Sequence, residues 1–176
     1  RELFNENAVY DYMERDELNI LNAVPTAEGA VYIALEELPV TLSDSRVLIT
    51  GFGRIGKVLA EILKGFGADV TVMTKSFKSM AWAKAMNFKV CSRDDIDSSY
   101  NLIFNTAPVL IFDREILEKL GTETILIDLA SKPGGVDFKS AGEIGIKAIW
   151  ALGLPGKTAP VTAGEIIAET VENIIK

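Results

Sequence analysis

Gly51-Phe52-Gly53-Arg54-Ile55-Gly56 sets three glycines in a G-x-G-x-x-G series, directly after an apolar run and directly before a helical pattern. Those flanks give the series its chemistry, because a strand-to-helix turn of this kind can cradle phosphates. Gly51 would make the tight turn, Gly53 would let the backbone approach a pyrophosphate, and Gly56 would let the helix pack close to the strand. The helix N-terminus then offers unpaired N–H groups and about half a positive charge to the phosphate oxygens. The expected ligand is a nicotinamide dinucleotide, with Phe52, Arg54 and Ile55 counted among its contacts beside the glycines. A plain glycine turn would account for the glycines but not for the strand and helix on either side.

The next strand decides which dinucleotide fits. NAD sites carry a carboxylate about 20 residues beyond the glycines, where it holds the ribose 2′-hydroxyl. The corresponding strand end here reads Thr74-Lys75-Ser76, and Asp69 lies at the opposite end of that strand. A lysine between two hydroxyls suits a 2′-phosphate, and Arg54 could reach the same phosphate or stack on adenine. Charge-assisted bonds are worth ~1.5–3 kcal/mol each, so one or two give a tenfold preference or more. NADP is therefore expected in preference to NAD, which remains the alternative if Lys75 is only a solvated surface lysine.

Three further loops fall at strand ends, where ligands of open α/β sheets sit. Asn105-Thr106-Ala107-Pro108 is small enough to pass close to a ribose or nicotinamide. Ala130-Ser131-Lys132-Pro133-Gly134-Gly135 combines a hydroxyl, a cation and a glycine pair, with Ala130 and Ser131 expected to face the cofactor. Gly153 to Pro160 carries Lys157 and Thr158, which with Lys132 are the candidates for a substrate carboxylate. Each of these loops could equally be an ordinary turn. Asp128 ends an apolar strand, where a structural role is as common as a functional one. Cys91 has no histidine to activate it, since the chain contains none. No acid/base residue is assigned, and no metal site is expected.

These loops require a frame. Arg46 to Thr50 is apolar on both faces, as a central parallel strand covered by helices must be. Ile55, Val58, Leu59, Ile62, Leu63 and Phe66 form a helical stripe that Gly67 ends. Strands are expected at 69–74, 88–91, 101–104, 124–129 and 146–150. Helices are expected at 76–86 capped by Ser76, 113–120 capped by Asp113, 136–143, and 162–176 with Ile166, Ile167, Val171, Ile174 and Ile175 inward. This alternation predicts a doubly wound parallel Rossmann sheet in the order 3-2-1-4-5-6, with helices on both faces. Residues 46–176 would form the dinucleotide domain. Residues 1–45 would be a helical extension, with a helix starting at Pro25-Thr26, capped by Thr26, ended by Pro39, and presenting Val31, Ala34, Leu35 and Leu38. That helix is too apolar to stand alone, and it is the surface through which homo-oligomers would form.

The 176 residues suit one core, and hydrophobic content of 48% is that of a soluble globular chain. A net charge of −7 argues against a nucleic-acid surface but not against a small anion, which needs only a local positive spot. No apolar run approaches the ~18 residues of a membrane span, and the charged N-terminus is no signal peptide. A single cysteine allows no intrachain disulfide, which fits a reducing, cytoplasmic compartment.

Taken together, Asn22-Ala23-Val24-Pro25-Thr26-Ala27-Glu28-Gly29-Ala30, the glycine fingerprint, Ile127 to Gly135, Gly153 to Pro160 and Thr162-Ala163-Gly164 resemble the A subunits of dipicolinate synthase from spore-forming bacteria. The resemblance runs from about Asn22 to the C-terminus. The fingerprint alone is also similar to those of 2-hydroxyacid dehydrogenases and adenosylhomocysteinase. The resemblance implies an NAD(P)-dependent oxidation of 4-hydroxy-tetrahydrodipicolinate, a small dicarboxylate, to dipicolinate, with a flavoprotein-like B subunit as partner. It also implies a further N-terminal domain that this sequence lacks. Position by position, it assigns the fingerprint, Thr74 to Ser76, Asn105 to Pro108 and Ala130 to Lys132 to the cofactor side of the site, and it matches no catalytic residue. Two other readings compete. A 2-hydroxyacid dehydrogenase would need a histidine acid/base, and a regulatory NADP-binding module would bind without turnover.

Overall fold

In a computed structural model that describes residues 10–176, six parallel strands form one sheet in the order β3-β2-β1-β4-β5-β6. The strands are β1 (Arg46–Thr50), β2 (Asp69–Met73), β3 (Lys89–Cys91), β4 (Leu102–Asn105), β5 (Ile125–Asp128) and β6 (Lys147–Trp150). Successive side chains of a strand point to opposite faces, and both faces here are buried. Val47, Ile49, Leu102, Phe104, Ile125 and Ile127 enter one core; Leu48, Ile103 and Leu126 enter the other. That double burial is why β1, β4 and β5 are apolar runs rather than alternating ones.

Helices α1 (Asp16–Leu21), α2 (Ala23–Glu37), α3 (Arg54–Gly65) and α4 (Phe77–Ala85) precede or follow the first strands, and α5 (Arg114–Leu117), α6 (Phe138–Ile144), α7 (Leu154–Thr158) and α8 (Pro160–Ile175) complete the chain. The first core lies under α2 and α3, through Ala27, Ala30, Val31 and Ala34 of α2 and Leu59, Ala60 and Leu63 of α3. The second lies under α5 and α6, through Ile116, Leu117 and Ala141. Ser76 and Asp113 cap α4 and α5 as expected, accepting the N–H groups of Ser79 at 3.3 Å and Ile116 at 3.2 Å. Gly67, at φ +83°, ends the turn after α3.

Three expectations are corrected. Helix α2 begins at Ala23, not after Thr26, and Asn22 occupies its cap position. Pro25 sits within the first turn, where a missing N–H costs nothing, and the Thr26 hydroxyl donates back to the Asn22 carbonyl at 2.6 Å. The inward face of α2 is therefore alanine-rich, and Leu35 is exposed. Helix α8 starts at Pro160, and Ala163, Ile166 and Thr170 turn inward while Ile167, Val171 and Ile175 face outward. The segment from Gly153 to Pro160, expected as a loop, contains the short helix α7.

Helix α2 approaches α7 very closely at Gly29. A Cβ there would lie 2.9 Å from Thr158 Oγ1 and 3.1 Å from Leu154 Cβ. Two segments far apart in sequence, Pro25 to Gly29 and Leu154 to Thr158, thus meet because one of them has no side chain at the contact.

Candidate functional site

The carboxyl ends of β1, β4, β5 and β6 lie side by side, with Thr50 paired to Asn105, Asn105 to Asp128, and Asp128 to Trp150. Thr50, Asn105 and Asp128 are fully buried. Buried polar groups must be hydrogen-bonded, and these satisfy one another. The Thr50 hydroxyl donates to Asn105 Oδ1 at 2.6 Å, and Asn105 Nδ2 donates to Asp128 Oδ1 at 2.7 Å. Asp128 also accepts the N–H of Ala130 at 3.0 Å and that of Gly135 at 2.8 Å. Asn105 closes its own loop by donating to the Ala107 carbonyl at 3.0 Å and accepting the Ala107 N–H at 3.2 Å. One carboxylate and one amide therefore fix the loops after β4 and β5. Asn105, expected to face the cofactor, points inward and positions Thr106 and Ala107 instead.

Above this row the glycine turn takes the shape the sequence requires. Gly51 sits at φ +88°, a region side chains disfavour, and a Cβ there would strike the Thr106 hydroxyl. A Cβ on Gly56 would lie 2.5 Å from the Gly51 carbonyl oxygen, so the helix packs on the turn only because Gly56 has none. At Gly53 the reverse holds: a Cβ would meet no heavy atom within 4 Å, so its open side faces space rather than protein. Phe52 is buried and packs edge-on against Phe88, with ring centroids 5.8 Å apart. It can contribute to a ligand only through its backbone.

Two adjoining clefts meet at Gly51 and Ala107. One, of about 430 Å³, is bounded by Gly53, Arg54, Ile55 and Thr106 at the start of α3. The other, of about 660 Å³, runs past Thr74, Lys75 and Ser76 to Val109, Leu110 and the Arg93–Asp113 ion pair at 2.6 Å. The first offers helix N–H groups to phosphates. The second offers apolar walls for a base, with Lys75 at its edge. Val109, Leu110, Arg93 and Asp113 escape a reading of the sequence, because nothing local marks a residue as the far wall of a cleft. Asp69 is paired with Lys89 at 2.7 Å at the amino end of β2, away from this site.

Other expected residues are placed differently. Arg54 is exposed and bonded to Asp16 of α1 at 3.0 Å. Pro108 is exposed beside the larger cleft. Ala130 is buried, and its carbonyl accepts the Trp150 indole N–H at 3.0 Å. Ser131 and Lys132 are exposed on the same loop and line neither cleft. Lys157 and Thr158 border a separate cavity of about 400 Å³ with Glu28 and Tyr32, so the structure does not bring them to the clefts. The Thr158 hydroxyl is used within α7, donating to the Leu154 carbonyl at 2.8 Å. Burial pushes the Cys91 thiol up from its ordinary value, against the opposing pull of the Tyr100 hydroxyl, which disfavours a thiolate.

The sheet order, glycine turn and paired clefts define a dinucleotide-binding Rossmann domain. The chain belongs to the family of D-isomer specific 2-hydroxyacid dehydrogenase NAD-binding domains, whose model matches residues 27–133. It is therefore a dehydrogenase-type domain for a nicotinamide dinucleotide. Within that class it is similar to the A subunit of dipicolinate synthase from Bacillus subtilis (strain 168), with 36% identity over 165 residues, covering 92% of this chain and 56% of that protein. The crystal structure of the dipicolinate synthase A subunit from Bacillus halodurans superposes with a TM-score of 0.89 at 35% identity, over 92% of this chain and 57% of that one. A transhydrogenase from Sinorhizobium meliloti shares the fold, with a TM-score of 0.77 at 16% identity over 90% of this chain and 56% of that one. The chain thus spans about half the length of the dipicolinate synthase subunits it matches. Among the described residues no helix is long and apolar enough to cross a membrane.

Proposed function

We propose that this chain is the cofactor-binding part of an NADP-dependent oxidoreductase, of the type formed by the A subunits of dipicolinate synthase. In that reading, residues 46–176 form the dinucleotide domain and residues 1–45 an extension joined to it. The reaction removes water and two hydrogens from 4-hydroxy-tetrahydrodipicolinate to give dipicolinate. The dinucleotide supplies the hydride acceptor, and the protein supplies position and charge. The phosphates lie over Gly53 at the start of α3, and the adenosine runs along Thr74 to Ser76. Lys132, exposed on the loop after β5, is the side chain offered to a dicarboxylate, whereas Lys157 and Thr158 stand at the separate cavity beside Glu28 and Tyr32. The partners are that substrate and a flavoprotein-like B subunit, in the cytoplasm of a spore-forming bacterium.

The observation that carries the NADP assignment is the end of β2. Lys75 stands at the edge of the larger cleft where a carboxylate for the ribose hydroxyl would otherwise be expected. Calorimetric titration with NADPH and NADH, on the wild type and on Lys75→Ala, tests it. NADPH should bind at least about tenfold tighter, and the substitution should reduce that margin. Equal affinities in the wild type would overturn the NADP assignment. The oxidation itself is tested on the full-length protein with 4-hydroxy-tetrahydrodipicolinate.

A further inference from the structure

A fourth depression, of about 500 Å³, lies between the first halves of α3 and α4. Arg54 and Lys57 stand one turn apart on α3; Lys78 and Trp82 stand one turn apart on α4. Ile20 of α1 and Phe52 complete the walls, and no carboxylate lines the groove. In a chain of net charge −7, three cations around one groove make a local exception. The Lys57 ammonium lies 4.6 Å from the centre of the Trp82 ring, which holds it over the groove. Among the described residues neither Lys57 nor Lys78 is in an ion pair, whereas Arg54 is held by Asp16.

The groove shares Gly53 and Arg54 with the phosphate cleft. The adenosine cleft lies on the other side of the same turn and reaches Ser76, the cap of α4. The groove therefore borders both clefts, at Gly53 and Arg54 on one side and at the start of α4 on the other. We propose that this groove takes the 2′-phosphate of the dinucleotide, and that Lys57 and Lys78 select NADP over NAD. The inference rests on the NADP reading above and adds to it a specificity site outside the strand-end loop. Lys75 steers the phosphate from the rim; Lys57 and Lys78 hold it.

The test titrates NADP⁺ and NAD⁺ calorimetrically into the wild type, the double variant Lys57→Gln/Lys78→Gln, and Lys75→Ala. Trp82 emission is followed with 2′-AMP and with inorganic phosphate, and Trp82→Phe serves as the control that assigns the signal. The double variant should lose about tenfold in NADP⁺ affinity and keep NAD⁺ affinity within about twofold. The Trp82 signal should respond to 2′-AMP at concentrations where inorganic phosphate leaves it unchanged. Three results would overturn the proposal. If the wild type prefers NADP⁺ and the double variant keeps that preference, the groove is not the site, and the NADP reading survives on Lys75. If the double variant loses both dinucleotides equally, the lysines do not read the 2′-phosphate. If the wild type shows no preference, the NADP reading fails and the groove assignment fails with it.

Discussion

Removing the Asp128 carboxylate should cost about as much stability as truncating a large buried apolar side chain of the sheet. Asp128 is fully buried and accepts from Asn105 Nδ2, Ala130 N–H and Gly135 N–H. In Asp128→Ala, Asn105 keeps the Ala107 carbonyl as a partner for its amide. The two backbone N–H groups have no such second partner in the structure. An unsatisfied buried donor costs about 1–3 kcal/mol, so two of them and one weakened bond give a loss of about 3–5 kcal/mol. That is a large part of the roughly 5–15 kcal/mol that holds a domain folded. With a urea slope near ~2 kcal/mol/M, the unfolding midpoint should fall by about 2 M. Asp128→Asn keeps the shape and one acceptor, so it should lose less, about 2–3 kcal/mol. It also remains folded enough to titrate with dinucleotide, where its disturbed Ala107 loop should weaken binding. Urea unfolding followed by circular dichroism measures both variants. A loss below about 1 kcal/mol for Asp128→Ala would refute the reasoning, because the loops would then be held by something other than this carboxylate.

Two further outcomes follow from the packing and the caps. Gly29→Ala would place a methyl 2.9 Å from Thr158 Oγ1 and 3.1 Å from Leu154 Cβ; it should cost about 1–3 kcal/mol and lower the melting temperature by about 2–4 °C per kcal/mol, as a thermal scan will show. Asp137 caps α6, and its carboxyl is held below the ordinary value of 3.8 by the hydroxyl and N–H of Ser140. Its contribution is present above that ordinary value and is lost as pH falls through the lower folded value. The stability gap between the wild type and Asp137→Ala should therefore be open at pH 6 and close toward pH 3 in a series of denaturant titrations.

Much of this fold is written locally. The apolar runs of β1, β4 and β5, the glycine turn, and the caps Ser76 and Asp113 each declare themselves within a few residues, and they are enough for the sheet order. Lateral information is not local. Asn105 reads as a cofactor contact because it follows a strand, yet its register beside Thr50 and Asp128 turns it inward. Only pairing across 23 and 55 residues reveals that. Nothing in the sequence around Lys57 or Lys78 relates the two; only the placement of α3 and α4 sets them on one groove. Helix α8 misleads for another reason: it is apolar on more faces than one, so hydrophobicity does not indicate which face turns inward, and Ile166 does while Ile167 does not. The start of α2 is hidden because Thr26 after a proline reads as a cap, whereas Pro25 and Thr26 both lie inside a helix that begins at Ala23.

The central claim is that the glycine turn holds a dinucleotide, and Gly53→Ala tests it most directly. The added methyl meets no protein atom within 4 Å, and the backbone there, at φ −85°, accepts a side chain. Folding stability should therefore stay within about 0.5 kcal/mol of the wild type. The methyl would stand where the phosphates approach the backbone, so calorimetry should show NADP⁺ affinity reduced by about tenfold or more. An affinity equal to that of the wild type, or a wild type that binds no dinucleotide at all, would contradict the account.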